Sequence, residues 1–178
     1  MQLKYKEITV RTATAADAEQ LCKWWNDGAV MAHAGFPKGL GTTVEEVRNK
    51  VVKKQTGFSD NNQRHMIIYK DVHIGEMNYR EVDDGVCEIG IKICDFSMQN
   101  KGLGKKILSL FIRTLFNELG YRRIILDTNI NNLRAQHVYE SLGFRKLRVN
   151  ENCWQDQLGV WQSAVDYELT KENFVSFL

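Results

Sequence analysis

Cysteine is scarce in this chain, and the four present, Cys22, Cys87, Cys94 and Cys153, form no CxxC pair and no ligand-like spacing with the four histidines. That argues against a metal site. A chain of 178 residues also buries enough core to need no disulfide framework. No apolar run approaches the roughly 18 residues that cross a bilayer, and the opening MQLKYKEITV reads as a strand rather than a signal peptide. The expectation is a reduced, cytoplasmic protein with no membrane partner. Excess charge is lacking too: the formal net charge of +2 is too near balance for a nucleic-acid binder. The basic cluster Lys50, Lys53 and Lys54 closes a predicted helix, where cations complement the helix dipole. Proline occurs once, at Pro37, and no repeat, low-complexity tract or linker divides the chain. One domain, 1–178, is expected.

What is present is ordered in a readable way. EITVRTA alternates as a strand, and Thr14 with Asp17 starts a helix through Leu21, Trp24 and Trp25. After the glycine-rich HAGFPKGLG, Thr43 and Glu46 form a capping-box pattern for a helix to about Gln55. RHMIIYK, VHIGEMNYREV and VCEIGIKI follow as three strands, and the turn signals KD and DDG between them make an antiparallel meander. Leu103, Ile107, Leu110, Phe111 and Leu115 recur at helical spacing over 102–119, and Gly120 ends that helix. RRIILDT reads as a strand covered on both faces, NNLRAQHVYESLG as a helix stopped by Gly143, and FRKLRVN as the start of another strand. A long helix between two strands implies a parallel crossover. The expected fold class is therefore α/β (α+β): a mixed central sheet, an antiparallel meander followed by β-α-β-α-β, with helices on both faces.

The sequence DFSMQNKGLGKKILSLF places Gly102 and Gly104 where a strand passes into a helix. Glycine is the weakest helix former after proline, so a helix that opens on two of them gives up stability. Without side chains the backbone turns sharply, and successive N–H groups point at one anion, aided by the helix dipole. Lys101, Lys105 and Lys106 add cations. Such a loop suits a phosphate or diphosphate, although the glycines also serve a merely tight connection. A P-loop would need glycine at 99 and Ser or Thr at 106, where Gln99 and Lys106 stand, and a dinucleotide fingerprint would need glycine at 107, which is Ile107.

QNKGLG resembles the Q/R-x-x-G-x-G/A signature of the GNAT N-acetyltransferase superfamily, and NLRAQHVYESLGF (132–144) is similar to that family's N-x-x-A-x-x-x-Y-x-x-x-G-F helix. The resemblance covers residues 1 to about 169. It implies a GNAT-like fold that transfers acetyl from acetyl-CoA, as co-substrate, directly to a primary amine. It also implies that loop residues Gln99, Asn100, Lys101, Gly102, Leu103, Gly104 and Lys105 hold the diphosphate. Asn132 would contact the cofactor, and backbone groups of Lys92, Ile93 and Cys94 would meet pantetheine and the thioester carbonyl. Tyr139 would protonate departing CoA; its plain alternative is a core aromatic.

A base is needed because a lysine-like amine is protonated at neutral pH, with a pKa near 10.4. Glu88 ranks first: it lies in an otherwise apolar strand, at the place of the base in histone-type relatives, and otherwise reads as a surface carboxylate. Asp127, five residues before Asn132, is the second candidate. The acceptor, a small-molecule amine or a peptide N-terminus, would sit near Trp24, Trp25, Asp27, His33 and Phe36 and the segment 150–160. The long strand carrying Glu76 looks most like ribosomal-protein N-terminal, polyamine and aminoglycoside acetyltransferases. Dimers are common in that family. Two other classes stay open: a non-catalytic acyl-CoA-binding or sensing module, which Tyr139 and Glu88 argue against, and a nucleotide-binding protein, which the motif mismatches argue against.

Overall fold

The computed structural model describes residues 1–55 and 62–178, and the side chains of 53–55 lie outside that description, including the expected basic helix end at Lys53 and Lys54. The elements run β1 (Gln2–Tyr5), β2 (Ile8–Thr12), α1 (Ala18–Trp25), α2 (Gly28–Met31), α3 (Val44–Gln55), β3 (Gln63–Tyr69), β4 (Val72–Asp83) and β5 (Val86–Ile93). They continue with α4 (Leu103–Asn117), β6 (Arg123–Asn129), α5 (Leu133–Ser141), β7 (Arg145–Gln155) and β8 (Trp161–Thr170). Among the described residues the strands form one eight-stranded sheet in the order β1-β2-β3-β4-β5-β6-β8-β7. Strands β3 to β5 are the expected antiparallel meander, and β5 and β6 are parallel, joined by α4 as the expected crossover.

Two parts of the sheet differ from the sequence expectation. The opening segment is a hairpin rather than one strand, because Lys6 takes a left-handed turn conformation (φ 50°) without any glycine or asparagine to signal it. The chain also returns after β7 as β8, which inserts between β6 and β7 and pairs antiparallel with both. Its Val165, Tyr167 and Leu169 are buried at alternate positions, as a half-covered strand requires.

Consecutive residues of β3 show how the sheet divides the core. Met66 packs with Leu21, Trp25 and Val47 of α1 and α3, whereas Ile67 packs with Phe111 and Leu115 of α4 on the other face. Each fully buried side chain of this size stabilises the fold by about 1.5–3 kcal/mol relative to exposure. Helix α4 buries more than the expected stripe, with Leu108, Ser109 and Ile112 also covered. The chain's last residues cross it: the Phe177 N–H donates to Ser109 Oγ (2.9 Å), and the Phe174 ring packs against Phe116. The two predicted helix starts carry their caps. Thr43 Oγ1 accepts from Glu46 N (3.2 Å) while Glu46 accepts from Thr43 N (2.9 Å), and the Thr14 N–H donates to Asp17 Oδ2 (2.7 Å).

Candidate active site

Strands β5 and β6 pair only at Val86–Arg123, Cys87–Ile124 and Glu88–Ile125, yet they continue to Ile93 and Asn129. Beyond Glu88 they splay. The edge of β5 facing the gap is released from sheet pairing, and its amides and carbonyls are left for another partner. The gap widens into a cleft of about 910 Å³, a size that holds a large ligand. Its walls are the end of β5, the loop before α4, the first turn of α4, the end of β6 and the inner face of α5; α2, β4 and Trp154 close the far end.

The loop before α4 is built from local geometry. Asn100 and Gly102 both have left-handed backbone (φ 59° and 72°), and Gly102 is the N-cap of α4 without a side-chain cap bond. The first N–H groups of α4 are thus left for an outside acceptor. Gly104 is the informative residue. Its φ lies outside the left-handed range, and an added Cβ would meet only Ile93 Cδ1, at 3.9 Å. Nothing among the described residues requires glycine there, although it weakens the helix by about 1 kcal/mol relative to alanine. The missing side chain keeps the space above the helix start open. Gln99 stitches the loop in place: its Nε2 donates to Ile93 O (2.8 Å), and its Oε1 accepts from Arg134 at the start of α5. Lys105 lines the cleft, whereas Lys101 is exposed outside its lining. This donor set with its open space fits a diphosphate.

On β5, Lys92 and Ile93 reach the cleft but Cys94 does not. The Cys94 N–H is donated to Ile74 O (2.8 Å), so that amide is spent within the sheet. Burial pushes the Cys94 thiol up to about 12, so it behaves as a small apolar group rather than a nucleophile.

Helix α5 presents Asn132, Ala135 and Tyr139 to the cleft. Asn132 is also its N-cap, with Oδ1 accepting from Ala135 N (3.3 Å). The Tyr139 ring is wedged between Phe144 and Tyr167, at centroid distances of 5.8 and 5.9 Å. Burial, then the negative charge of Asp127, holds the Tyr139 phenol protonated well above its ordinary pKa. Asp127 lines the same cleft and stays accessible to solvent. Partial burial, followed by the charges of Glu88 and Asp166, pushes its carboxyl up.

Glu88 is placed differently. It shares a face with Lys92, as strand alternation requires, but four residues along β5 separate them by about 13 Å. It sits where β5 is still paired with β6, outside the cleft lining, in an adjoining depression with Arg123, Arg148 and Asp166 that Asp127 also lines. There it bonds its cross-strand neighbour Arg80 (2.9 Å).

The carboxylate that the site reading did not anticipate is Glu76, 2% exposed and lining the far end of the cleft. It accepts from Trp25 Nε1 (2.9 Å), Lys92 Nζ (3.2 Å) and Arg64. Burial alone would raise its pKa, but the charges of Arg64 and Lys92, with those hydrogen bonds, outweigh it and hold the carboxyl below its ordinary range. The signal available in the sequence was a glutamate inside the apolar run VHIGEM.

The family model described as "Acetyltransferase (GNAT) domain" matches residues 7–145. That is well over half of the chain, which therefore belongs to the GNAT acetyltransferase family. Two solved structures share the fold over nearly the whole chain. Spermidine N-acetyltransferase from Vibrio cholerae, in complex with CoA and spermine, has a TM-score of 0.83 at 18% identity, covering 95% of this chain and 98% of that one. The ribosomal L7/L12 alpha-N-protein acetyltransferase RimL, in complex with coenzyme A, has a TM-score of 0.81 at 17% identity, covering 96% and 98%. A kanamycin resistance protein of Rhizobium radiobacter is 36% identical over 66 residues, 37% of this chain and 61% of that protein. The chain spans less than two thirds of the length of the curated relatives it matches first.

Proposed function

We propose that this protein transfers the acetyl group of acetyl-CoA to a primary amine by direct attack within a ternary complex. The observation that carries this reading is Gly104, a glycine at a helix start that neither backbone conformation nor packing demands, above which the cleft is open. The start of α4, with Lys105 beside it, holds the diphosphate; the released edge of β5 at Lys92 and Ile93 orients the pantetheine arm. Acetyl-CoA supplies an acetyl group activated as a thioester.

Asp127 is the residue that takes a proton from the acceptor's ammonium, freeing the nitrogen lone pair. A new C–N bond forms at the carbonyl carbon as the C–S bond breaks, and the second amine proton is shed on forming the amide. Tyr139 donates its hydroxyl hydrogen bond to the departing sulfur. A thiol's pKa near 8.5 lies below that of a buried phenol, so complete proton transfer from Tyr139 is uphill. Its contribution is chiefly that hydrogen bond, with solvent completing the protonation of the thiolate. Asp127 is favoured over Glu88 because it lines the cleft beside Tyr139, whereas Glu88 faces Arg80 outside it. The test is release of free thiol from acetyl-CoA in the presence of a panel of polyamines, aminoglycosides and N-terminal peptides. Thermal shifts with ATP or NAD but none with acetyl-CoA would overturn the reading.

A further inference from the structure

Resting on that reading, the charge balance of the cleft points to a class of acceptor. Among the described residues six charged side chains line it: Lys105 and Arg134 beside the diphosphate loop, Asp127 at the reacting centre, and Arg64, Lys92 and Glu76 at the far end. The far end is therefore cationic by one charge. Its anion is already fully engaged, with Glu76 Oε1 bonded by Trp25 and Lys92 and Oε2 by Arg64. At 2% exposure, with both oxygens bonded, Glu76 acts on a ligand mainly through its two cations.

Its two cations are differently placed. The Arg64 and Lys92 side chains keep 18% and 31% exposure and line the cleft. Arg64 uses one nitrogen on Glu76, and its guanidinium is braced over the Trp25 ring at 4.8 Å. A guanidinium has five N–H donors in a fixed fork, so several remain free for an incoming acceptor atom. The neighbouring walls, His33, Asn78 and Trp154, add no carboxylate. A polyamine or aminoglycoside would thus bring further positive charge against two fixed cations, and the carboxylates that answer it, Asp127 with Glu88 and Asp166 next to it, lie at the reacting centre and not at the far end.

We propose that the acceptor of this enzyme carries an anionic group, a carboxylate or phosphate, beside its reactive amine. Arg64 and Lys92 bind that anion at the far end of the cleft while the amine meets Asp127 and Tyr139, and Glu76 is the positioning residue that fixes both cations. Specificity of this kind works both ways: the pair attracts an anion and repels an extended polycation.

The experiment is a binding titration on the CoA-saturated protein, paired with thiol release from acetyl-CoA. The probes are short peptides with one free N-terminus that differ only in carrying Asp, phosphoserine, Asn or Lys at one of the next two positions, together with spermidine and kanamycin. The acidic or phosphorylated peptide should bind at least ten times tighter than its Asn counterpart, and Lys weaker than Asn; comparing the two anions distinguishes carboxylate from phosphate. Arg64→Gln should abolish that preference, so that the Asp, phosphoserine and Asn peptides bind the variant within about twofold of one another. The charge-balanced double variant Arg64→Gln with Glu76→Gln, which leaves no buried carboxylate unpaired, should do the same. Equal binding of the Asp, phosphoserine and Asn peptides, or tighter binding of spermidine, would overturn the proposal. Thiol release with spermidine as the preferred acceptor would overturn it while sparing the acetyl-transfer reading. Absence of any acetyl-CoA binding would instead remove the acetyl-transfer reading itself.

Discussion

The indole N–H of Trp25 donates to Glu76 Oε1 across 2.9 Å, joining α1 to β4 beneath the cleft. The bond is one of three that hold a carboxylate out of water in its charged form, with Arg64 and Lys92 supplying the compensating charge. Because the folded protein lowers this pKa below its ordinary 4.5, the stabilisation is complete above that pH and is lost as pH falls through the lower folded value. Glu76→Gln should destabilise the protein at pH 7 by about 3 kcal/mol, the low end for breaking a buried pair, since the amide keeps part of the hydrogen bonding. The penalty should shrink below pH 4. Urea unfolding of both proteins at pH 7 and pH 3.5 measures it; an equal difference at the two pH values would show that Glu76 is not held charged.

Gly104→Val tests the diphosphate grip. The site has no left-handed backbone and no neighbour nearer than 3.9 Å, and valine is a better helix former than glycine, so stability should hold or rise slightly. A side chain there would intrude on the space above the helix start. Acetyl-CoA affinity should fall about 100-fold, the loss of roughly one charge-assisted hydrogen bond, with Gly104→Ala intermediate. Calorimetry on a folded Gly104→Val protein with unchanged affinity would remove the diphosphate from this loop.

How legible each part was follows from how local its cause is. The loop at 99–104 and the helix at 132–144 carry their geometry in contiguous residues, so both stand in the sequence as they stand in the fold. The meander and the parallel crossover follow from alternation, turn residues and the length of α4, all short-range features. Glu76 was not legible as part of the site, because its partners come from α1, β3 and β5, up to 51 residues away. The splay that opens the cleft to Asp127 and leaves Glu88 in the paired part of β5 is a property of two strands and not of either alone. Strand β8 is different: Val165, Tyr167 and Leu169 alternate visibly, but Asp166 and Glu168 between them hide the run from a reading of apolar content.

Asp127 and Glu88 make opposite predictions. Asp127→Asn should lower kcat by about 10² to 10⁴, the usual range for loss of a general base. Glu88→Gln removes a partly exposed pair with Arg80, a kind of contact worth at most about 1 kcal/mol, and should change kcat little. Asp127 works as a base only when ionised, and its carboxyl lies above the ordinary 3.8, so the acid limb of the wild-type rate profile should sit above that value. Alkaline rates of Asp127→Asn should recover in part as the free amine accumulates in solution. Steady-state kinetics across pH on both variants decide the matter: a large loss in Glu88→Gln with normal rates in Asp127→Asn would return the base to β5.

Tyr139→Phe separates an enzyme from a module that only binds acyl-CoA. The ring packs against Phe144 and Tyr167, and phenylalanine keeps that packing, so thermal stability should be nearly unchanged. The hydroxyl makes no hydrogen bond among the described residues, so its removal orphans no partner there. Ground-state affinity for acetyl-CoA should survive, because the grip lies at the start of α4. What disappears is a donor to sulfur at the moment the C–S bond breaks. Thiolate is already a fair leaving group, with a thiol pKa near 8.5, so the loss is modest. A fall in kcat of roughly 10- to 100-fold is expected, at or below the low end for general-acid loss. KM for acetyl-CoA should move far less, the pattern of an interaction made mainly in the transition state. The phenol's raised pKa keeps it protonated throughout the working range, so the ratio of wild-type to variant rates should stay flat from pH 6 to 9, about the span over which an ordinary tyrosine also remains neutral. Equal kcat in both proteins would make Tyr139 a core aromatic, and a matched loss of acetyl-CoA affinity would make it a binding residue.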